Sequence, residues 1–180
     1  MHPTPRIALA RVLRGRIDSP ALHLLARRTR VAARRMGVSA EQLAALGVKI
    51  VDDREMAELH LKYMGEPGPT DVLSFSGEAP ELEFDDPDPL LDVAFAEPGF
   101  GDIVLDWQAV DRQARVRSRA GLLDEATVLL VHGLAHLLGH DHRTRDEAQR
   151  MHRLEQVGLR ALRVADPPRP YAPWQGSAQR

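Results

Sequence analysis

The chain has 180 residues, of which 43% are hydrophobic and 28% are charged, and it contains no cysteine. This length is sufficient for one domain with a hydrophobic core, and the lack of cysteine excludes disulfide bonds and thiolate metal sites. No uninterrupted apolar segment approaches the roughly 20 residues that span a bilayer, and the N-terminus has no apolar segment typical of a signal peptide. We therefore expect a cytoplasmic protein that does not enter a membrane.

The net charge of −2 conceals an uneven distribution along the chain. Residues 1–49 contain ten Lys and Arg against two acidic residues, residues 50–108 contain two against sixteen, and residues 109–180 contain twelve against eight. A basic surface could bind a polyanion such as RNA. The alternative is that the arginines lie on solvated helix faces, and charge alone leaves both interpretations open.

Six elements are predicted before residue 77. In chain order they are a strand at 7–13, helices at about 20–36 and 40–46, a strand at 47–51, a helix to about residue 63, and a strand at 72–75. Each of the three helices is preceded by a side chain that can accept an N-cap hydrogen bond. These residues are Asp18, Ser39, and either Asp52 or Asp53. Gly37 follows the first helix and is typical of a helix end.

The second half of the chain begins with an acidic segment at 77–100 that contains four prolines, which we interpret as a long loop. The elements predicted after it are a strand at 103–105, a helix at 107–119, a helix from Asp124 or Glu125 to about Leu138, and a helix at about 144–162. The proline-rich residues 166–180 are predicted to be a flexible tail, which leaves residues 1–165 as a single domain.

Few strands among many helices predict an α/β (α+β) fold. We expect one small mixed sheet with helices packed on it, and a metal site at the end of a long helix. The hydrophobic pattern does not predict the order of the strands.

The strongest functional pattern is VHGLAHLLGHDH at 131–142. His132 and His136 are four residues apart, so a helix places both imidazoles on one face, where they can bind the same ion. Gly139 allows the chain to turn out of the helix and bring His142 to that ion. The spacing H-x3-H-x2-G-x2-H is that of metzincin zinc sites, and three imidazoles leave a fourth zinc position for a catalytic water.

Several points around this pattern stay open. His140 is the alternative third ligand, and another divalent transition metal is the alternative to zinc. Asp141 either orients a ligand imidazole or simply forms the turn. Gly133 occupies the place where metalloproteases carry the glutamate that acts as general base. The pattern therefore predicts a metal-dependent hydrolase that lacks the glutamate general base expected of a peptidase.

Three segments occur together in the order and spacing of one known family. They are HGLAHLLGHDH at 132–142, PTDVLSF at 69–75 and GDIV at 101–104. In these segments the chain resembles the YbeY family of bacterial endoribonucleases, whose motif reads H-G-x-L-H-L-x-G-Y-D-H. The resemblance implies a zinc-dependent endoribonuclease specific for single-stranded RNA. It also implies a role in ribosomal RNA processing, including maturation of the 16S 3′ end, and in ribosome quality control.

The resemblance also implies which residues bind the metal and which partners the protein has. It implies that His132, His136 and His142 bind the zinc and act through its water, and that single-stranded rRNA and the small ribosomal subunit or its proteins are partners. The oligomeric state is not implied. We expect substrate contacts from one cation and two hydroxyl side chains: Lys62, Thr70 and Ser74. For Lys62 the alternative is an ordinary surface lysine.

One block departs from the family pattern. Where the family has Y-R-G-K-x-K-P-T, this chain has Met64 in place of the arginine and Glu66 and Gly68 in place of the lysines. His140 replaces the usual tyrosine. Two other functions therefore stay open: hydrolysis of peptides or small molecules, and a non-catalytic zinc-containing assembly factor that docks on the ribosome through the arginine-rich helix near 27–35.

Overall fold

A four-stranded sheet lies between helices on both of its faces. The computed structural model describes residues 3–77 and 100–165. The strands are β1 (Arg6–Leu9), β2 (Leu46–Val51), β3 (Val72–Ser76) and β4 (Gly101–Asp106). The helices are α1 (Ser19–Arg35), α2 (Ala40–Ala44), α3 (Asp53–Met64), α4 (Trp107–Gln113), α5 (Arg119–Leu137) and α6 (Arg145–Leu162).

The sheet is mixed, as expected, and its strand order is β1-β2-β4-β3. The first three strands in this order are parallel, and β3 runs antiparallel to β4 at the edge. Every residue of β2 and β4 is buried, which agrees with their apolar centres, and Lys49, Asp102 and Asp106 are the buried charged residues of these strands. The larger core lies between the sheet and α1, α5 and α6, and a smaller core lies under α3 on the opposite face.

The predicted caps of the first three helices are confirmed. Asp18 accepts a hydrogen bond from the backbone N–H of Ala21 at 2.8 Å, and Ser39 forms a capping box with Gln42. Asp52, rather than Asp53, caps α3. These bonds satisfy N–H groups that have no partner inside the helix.

The strand predicted at 7–13 is too long. β1 ends at Leu9, and Arg11–Leu13 form a single 3-10 turn that buries Leu13. Ala10 donates a hydrogen bond to the carbonyl of Ile50, one residue before β2 ends. β2 therefore ends before it could pair with the residues after Ala10, and the apolar sequence continues as a turn.

The boundary between the helices predicted at 107–119 and from Asp124 is also wrong. α4 is only seven residues long, and α5 begins at Arg119. The cap of α5 is Ser118, whose hydroxyl accepts from the backbone N–H of Gly121 at 3.1 Å. Asp124 lies inside α5 and pairs with Arg28 of α1 at 2.8 Å, so its charge joins two helices instead of starting one.

α5 is the central helix of the larger core. Among the described residues it alone is long and apolar enough to cross a membrane by length and composition. However, 72% of the qualifying segment is buried inside the protein. Its apolar character on all sides is explained by the sheet, α1 and α6, which surround it.

The acidic loop expected at 77–100 lies outside the described residues apart from Gly77 and Phe100, and the tail expected at 166–180 lies wholly outside them.

A pair of carboxyl groups lies where the parallel strands β2 and β4 end. Asp106 is fully buried, and this burial, with Asp53 nearby, raises its pKa to about 7. Arg112 binds both carboxylate oxygens of Asp53 at 2.8 Å, and this contact lowers the pKa of Asp53. Of the two carboxyl groups, Asp106 is therefore the one that holds a proton more tightly. Asp106 also starts α4 by accepting from two backbone N–H groups, so the pair has a structural role.

Candidate metal centre

The end of α5 carries the histidines of the pattern. His132 and His136 are one turn apart, and their Nε2 atoms lie 3.2 Å from each other. Beyond the helix, Gly139 adopts a left-handed conformation with φ of +81°. The N–H of His140 then donates to the carbonyl of Ala135 at 3.0 Å, which closes a Schellman-type turn. This turn reverses the chain toward the two imidazoles.

The reversed chain brings His142 to the same place. Its ring centroid lies 5.6 Å from that of His132 and 5.3 Å from that of His136. One ligand atom from each of the three histidines lies within 4.8 Å of the others, so the three could hold a metal ion. The alternative ligand, His140, contributes its backbone carbonyl to the site, as an acceptor from His136.

The hydrogen bonds of two histidines orient them for metal binding. Nδ1 of His132 lies 2.6 Å from Oε1 of Glu155, and Nδ1 of His136 lies 3.0 Å from the carbonyl oxygen of His140. A carboxylate and a carbonyl only accept, so each Nδ1 carries the hydrogen. Each Nε2 then keeps its lone pair and faces its neighbour. This donor set fits a transition metal such as zinc.

The protonation behaviour of His136 agrees with a ligand role. Burial lowers the pKa of His136, and the nearby His132 and His142 lower it further. His136 is therefore neutral at pH 7, which is the form that binds a metal.

Glu155 is a site residue that the sequence interpretation missed. It projects from α6, and only 8% of its surface is exposed. Its second oxygen, Oε2, lies 3.7 Å from Nδ1 of exposed His152. A sequence signal did exist, because Glu155 is four residues from buried Met151 and from buried Leu159. An acidic residue on the buried face of an amphipathic helix indicates a polar partner in the core.

Asp141 acts on the backbone of the turn. Its carboxylate accepts a hydrogen bond from the backbone N–H of His142 at 2.8 Å and pairs with Arg143 at 2.7 Å. The bond to the His142 N–H is the main cause that lowers the pKa of Asp141. Of the two roles considered for Asp141, these contacts favour the turn residue, which holds the segment that presents His142.

The three residues expected to bind substrate lie in different places. Ser74, on β3, donates a hydrogen bond to the carbonyl of Gly133 at 3.3 Å and so lies against α5 beside the histidines. Thr70 is half-buried in the loop before β3. Lys62 is exposed near the end of α3, on the other face of the sheet from α5, with Nζ 5.1 Å from the ring centroid of Tyr63.

The loop that departs from the family pattern is held by a histidine. Nδ1 of His60 is hydrogen-bonded to the carbonyl of Gly68 at 2.8 Å, and its Nε2 lies 3.6 Å from a carboxylate oxygen of Glu66. Met64, in place of the family arginine, is 49% exposed. His60 therefore has a structural role in this loop, which the sequence alone did not suggest.

Gly133 allows close contact between α5 and the sheet. A Cβ atom at this position would lie 2.9 Å from Cγ2 of Ile103 and 3.0 Å from Oγ of Ser74. Real Cβ atoms do not approach other atoms so closely, and Cγ2 of a β-branched side chain cannot move away without a backbone or rotamer change. The space that the metalloprotease glutamate would need is therefore filled by the sheet.

We expect Gly133→Ala to lower the free energy of unfolding by about 1–2 kcal/mol, because overpacking at Ile103 exceeds the gain in helix propensity of about 1 kcal/mol. Urea denaturation would measure it. The matched control is Gly158→Ala in α6, where the added Cβ would meet the flexible thioether of Met36 at 3.0 Å. Its effect should be near zero, and equal stability changes in the two variants would contradict the steric argument.

Sequence comparison relates the chain to a known protein family. The sequence matches the family model described as Endoribonuclease YbeY over residues 16–163. The endoribonuclease YbeY of Thermobifida fusca is 43% identical over 122 residues, which cover 67% of this chain and 74% of that protein. The endoribonuclease YbeY of a Chelativorans species is 38% identical over 128 residues, which cover 69% of each chain. The solution structure of TM1509 from Thermotoga maritima matches 92% of this chain and 99% of that chain, with 19% identity and a TM-score of 0.47.

The matched region extends from before α1 to the end of α6 and includes all three histidines and Glu155. The chain therefore belongs to the YbeY endoribonuclease family.

Proposed function

We propose that this chain is a zinc-dependent endoribonuclease that cleaves single-stranded ribosomal RNA. The observation that carries the proposal is the convergence of three histidines at the end of α5, within 4.8 Å of one another. His132 and His136 are each oriented by an acceptor at Nδ1. Membership of the YbeY family supports RNA as the substrate.

His132, His136 and His142 are the proposed zinc ligands. Zinc held by three imidazoles supplies Lewis acidity toward a phosphodiester and toward water. The surrounding residues position these ligands: Glu155 orients His132, the carbonyl of His140 orients His136, and Asp141 holds the turn before His142.

Peptide hydrolysis is the less favoured function. The residue after the first ligand is Gly133, and the sheet occupies the space that a side chain would need there. A glutamate general base at this position is thus excluded by packing as well as by sequence. Hydrolysis of a phosphodiester by a zinc site does not require that glutamate.

The proposed RNA path follows β3, the edge strand that lies against α5. Ser74 on this strand and Thr70 before it offer hydroxyl groups that can bind ribose or phosphate. Lys62 remains the proposed cation, although it lies on α3 on the other face of the sheet, and the path lacks the three family cations at Met64, Glu66 and Gly68. We therefore infer weaker phosphate binding along this edge than in family members that retain them.

The proposed biological role is maturation of 16S rRNA at its 3′ end and quality control of ribosomes in the cytoplasm, in contact with the small subunit or its proteins. The support is the likeness of the three sequence blocks to the YbeY family, together with the family match over residues 16–163.

The test uses purified full-length protein and a single-stranded RNA that contains the 16S 3′ junction. Cleavage should require zinc, stop after chelation and return on addition of zinc, and the same sequence in a duplex should resist. Cleavage of a peptide panel with the RNA left intact would favour the peptidase alternative and reject the proposal. Equal RNA cleavage with and without chelator would reject the zinc requirement.

A further inference from the structure

The outer sides of α1 and α6 carry many arginines and almost no acidic residues. The two helices are in contact, since a Cβ on Gly158 of α6 would lie 3.4 Å from Cβ of Ala32 on α1. α1 contains no acidic residue, and the only acidic residue of α6 after Glu147 is Glu155, which is buried against His132. We call the following set the arginine surface: Arg27, Arg30, Arg34, Arg35, Arg150, Arg153, Arg160 and Arg163.

Helix periodicity places part of this set on the solvent side of α1. Arg27, Arg30 and Arg34 are spaced by three and four residues, so they lie on one side of the helix. The buried side of α1 is formed by other residues, such as Leu25 and Ala32. Arg28 differs from these arginines because it points at α5 and pairs with Asp124.

The arginines of α6 follow the same pattern. Arg153 and Arg160 are seven residues apart on its exposed side. Arg160 donates a hydrogen bond to the neutral amide oxygen of Gln156 at 2.8 Å, which leaves its charge uncompensated. Within residues 3–77 and 100–165, no member of the arginine surface forms an ion pair.

The arginine surface lies on the far side of α6 from the metal centre. Glu155 on the inner side of α6 contacts His132, and Arg153 lies about 200° around the helix axis from Glu155. The RNA segment that is cleaved at the histidines therefore does not lie on the arginine surface. A flanking part of the same RNA molecule can reach this surface while the cleaved segment lies at the histidines.

We propose that the arginine surface binds the phosphate backbone of structured RNA that flanks the cleaved strand. This inference rests on the proposed function. Guanidinium groups match phosphate oxygens in geometry and charge. A protein partner would need an apolar centre, and Val157 is the single strongly exposed large apolar residue on α1 or α6. The surface supplies phosphate contacts that the loop at Met64 lacks.

The test compares a triple variant, Arg27→Gln with Arg34→Gln and Arg153→Gln, with a charge-matched control, Arg54→Gln with Arg115→Gln and Arg117→Gln. All six arginines are exposed. Each zinc-loaded, full-length protein is given two RNAs with the same junction: a short unstructured oligomer, and a long RNA in which folded segments flank the junction. Circular dichroism and thermal unfolding confirm that the variants fold.

The surface variant should raise KM for the long RNA by roughly tenfold, with kcat and the short RNA nearly unchanged. For the long RNA, the slope of log K against the logarithm of the salt concentration should become less negative by about two to three. The control variant should behave like the wild type. Equal effects of the two triple variants, or equal effects on both RNAs, would overturn the proposal.

Two further results separate this inference from the proposed function. If the wild type cleaves neither RNA, the proposed function fails, and binding of the long RNA measured by fluorescence anisotropy still tests the surface. If the surface variant binds the long RNA as the wild type does but no longer binds isolated small-subunit proteins, the partner is a protein and the inference is wrong.

Discussion

The variant His136→Ala is expected to cleave single-stranded RNA at least about a thousandfold more slowly than the wild type, which corresponds to about 4 kcal/mol of barrier. His136 lies next to both other histidines, with its Nε2 atom 3.2 Å from that of His132. Its loss leaves two imidazoles, which is too few for a tightly held zinc ion. Single-turnover rates and the zinc content of the purified protein would measure the effect.

The matched control for this variant is His23→Ala. His23 is an exposed histidine near the start of α1, where its Nδ1 lies 3.5 Å from the hydroxyl of Ser19. This variant should retain the zinc content and the cleavage rate of the wild type. Should His136→Ala bind a full equivalent of zinc and cleave at the wild-type rate, the histidine cluster is not the catalytic centre. Loss of zinc with an unchanged rate would indicate a contaminating nuclease.

The ligand set could be predicted because its geometry is local. Two histidines four residues apart meet on any helix, and a glycine after the helix allows the turn that returns His142. The structure brings these residues together within a segment of 11 residues, 132–142. Glu155 could not be placed in the same way. Its contact with His132 depends on how α6 packs against α5, and a hydrophobic pattern does not specify that packing.

Element boundaries show the same distinction between local and tertiary causes. Caps at Asp18, at Ser39 and at Asp52 or Asp53 can be predicted because the residues that they cap follow closely in sequence, and the structure selects Asp52 for the third helix. Asp124 has the same chemical character, but its tertiary partner is Arg28, 96 residues away. The true cap, Ser118, lies in a polar segment that the helix pattern alone did not distinguish from the helix before it.

Strand order depends on pairing between distant segments. β2 and β4 are neighbours in the sheet although α3 and β3 lie between them in the chain, and β3 pairs back antiparallel at the edge. The sequence predicted few strands and a mixed sheet, but nothing in their hydrophobic pattern distinguished this order from others. The order matters for function because it places the edge strand β3, which carries Ser74, against α5, which carries His132 and His136.

Replacement of Glu155 is expected to weaken zinc binding by about 10-fold to 100-fold. Glu155→Gln retains an oxygen that can accept from Nδ1 of His132 but loses the negative charge, so its effect should be near the lower value. Glu155→Ala removes the acceptor, frees the ring to rotate and allows the wrong tautomer, so its effect should be near the upper value. Competition with a chromophoric chelator would give the zinc affinity of each variant.

The control for charge removal from α6 is Asp146→Asn, because Asp146 is exposed in the first turn of the same helix. Its zinc affinity should equal that of the wild type. A second comparison distinguishes positioning from a general structural role. If Glu155 acts through His132, then Glu155→Gln should scarcely change the residual zinc affinity of a His132→Ala protein, since the group that it orients is absent. Independent, additive losses in the double variant would mean that Glu155 stabilises the packing of α6 rather than the ligand.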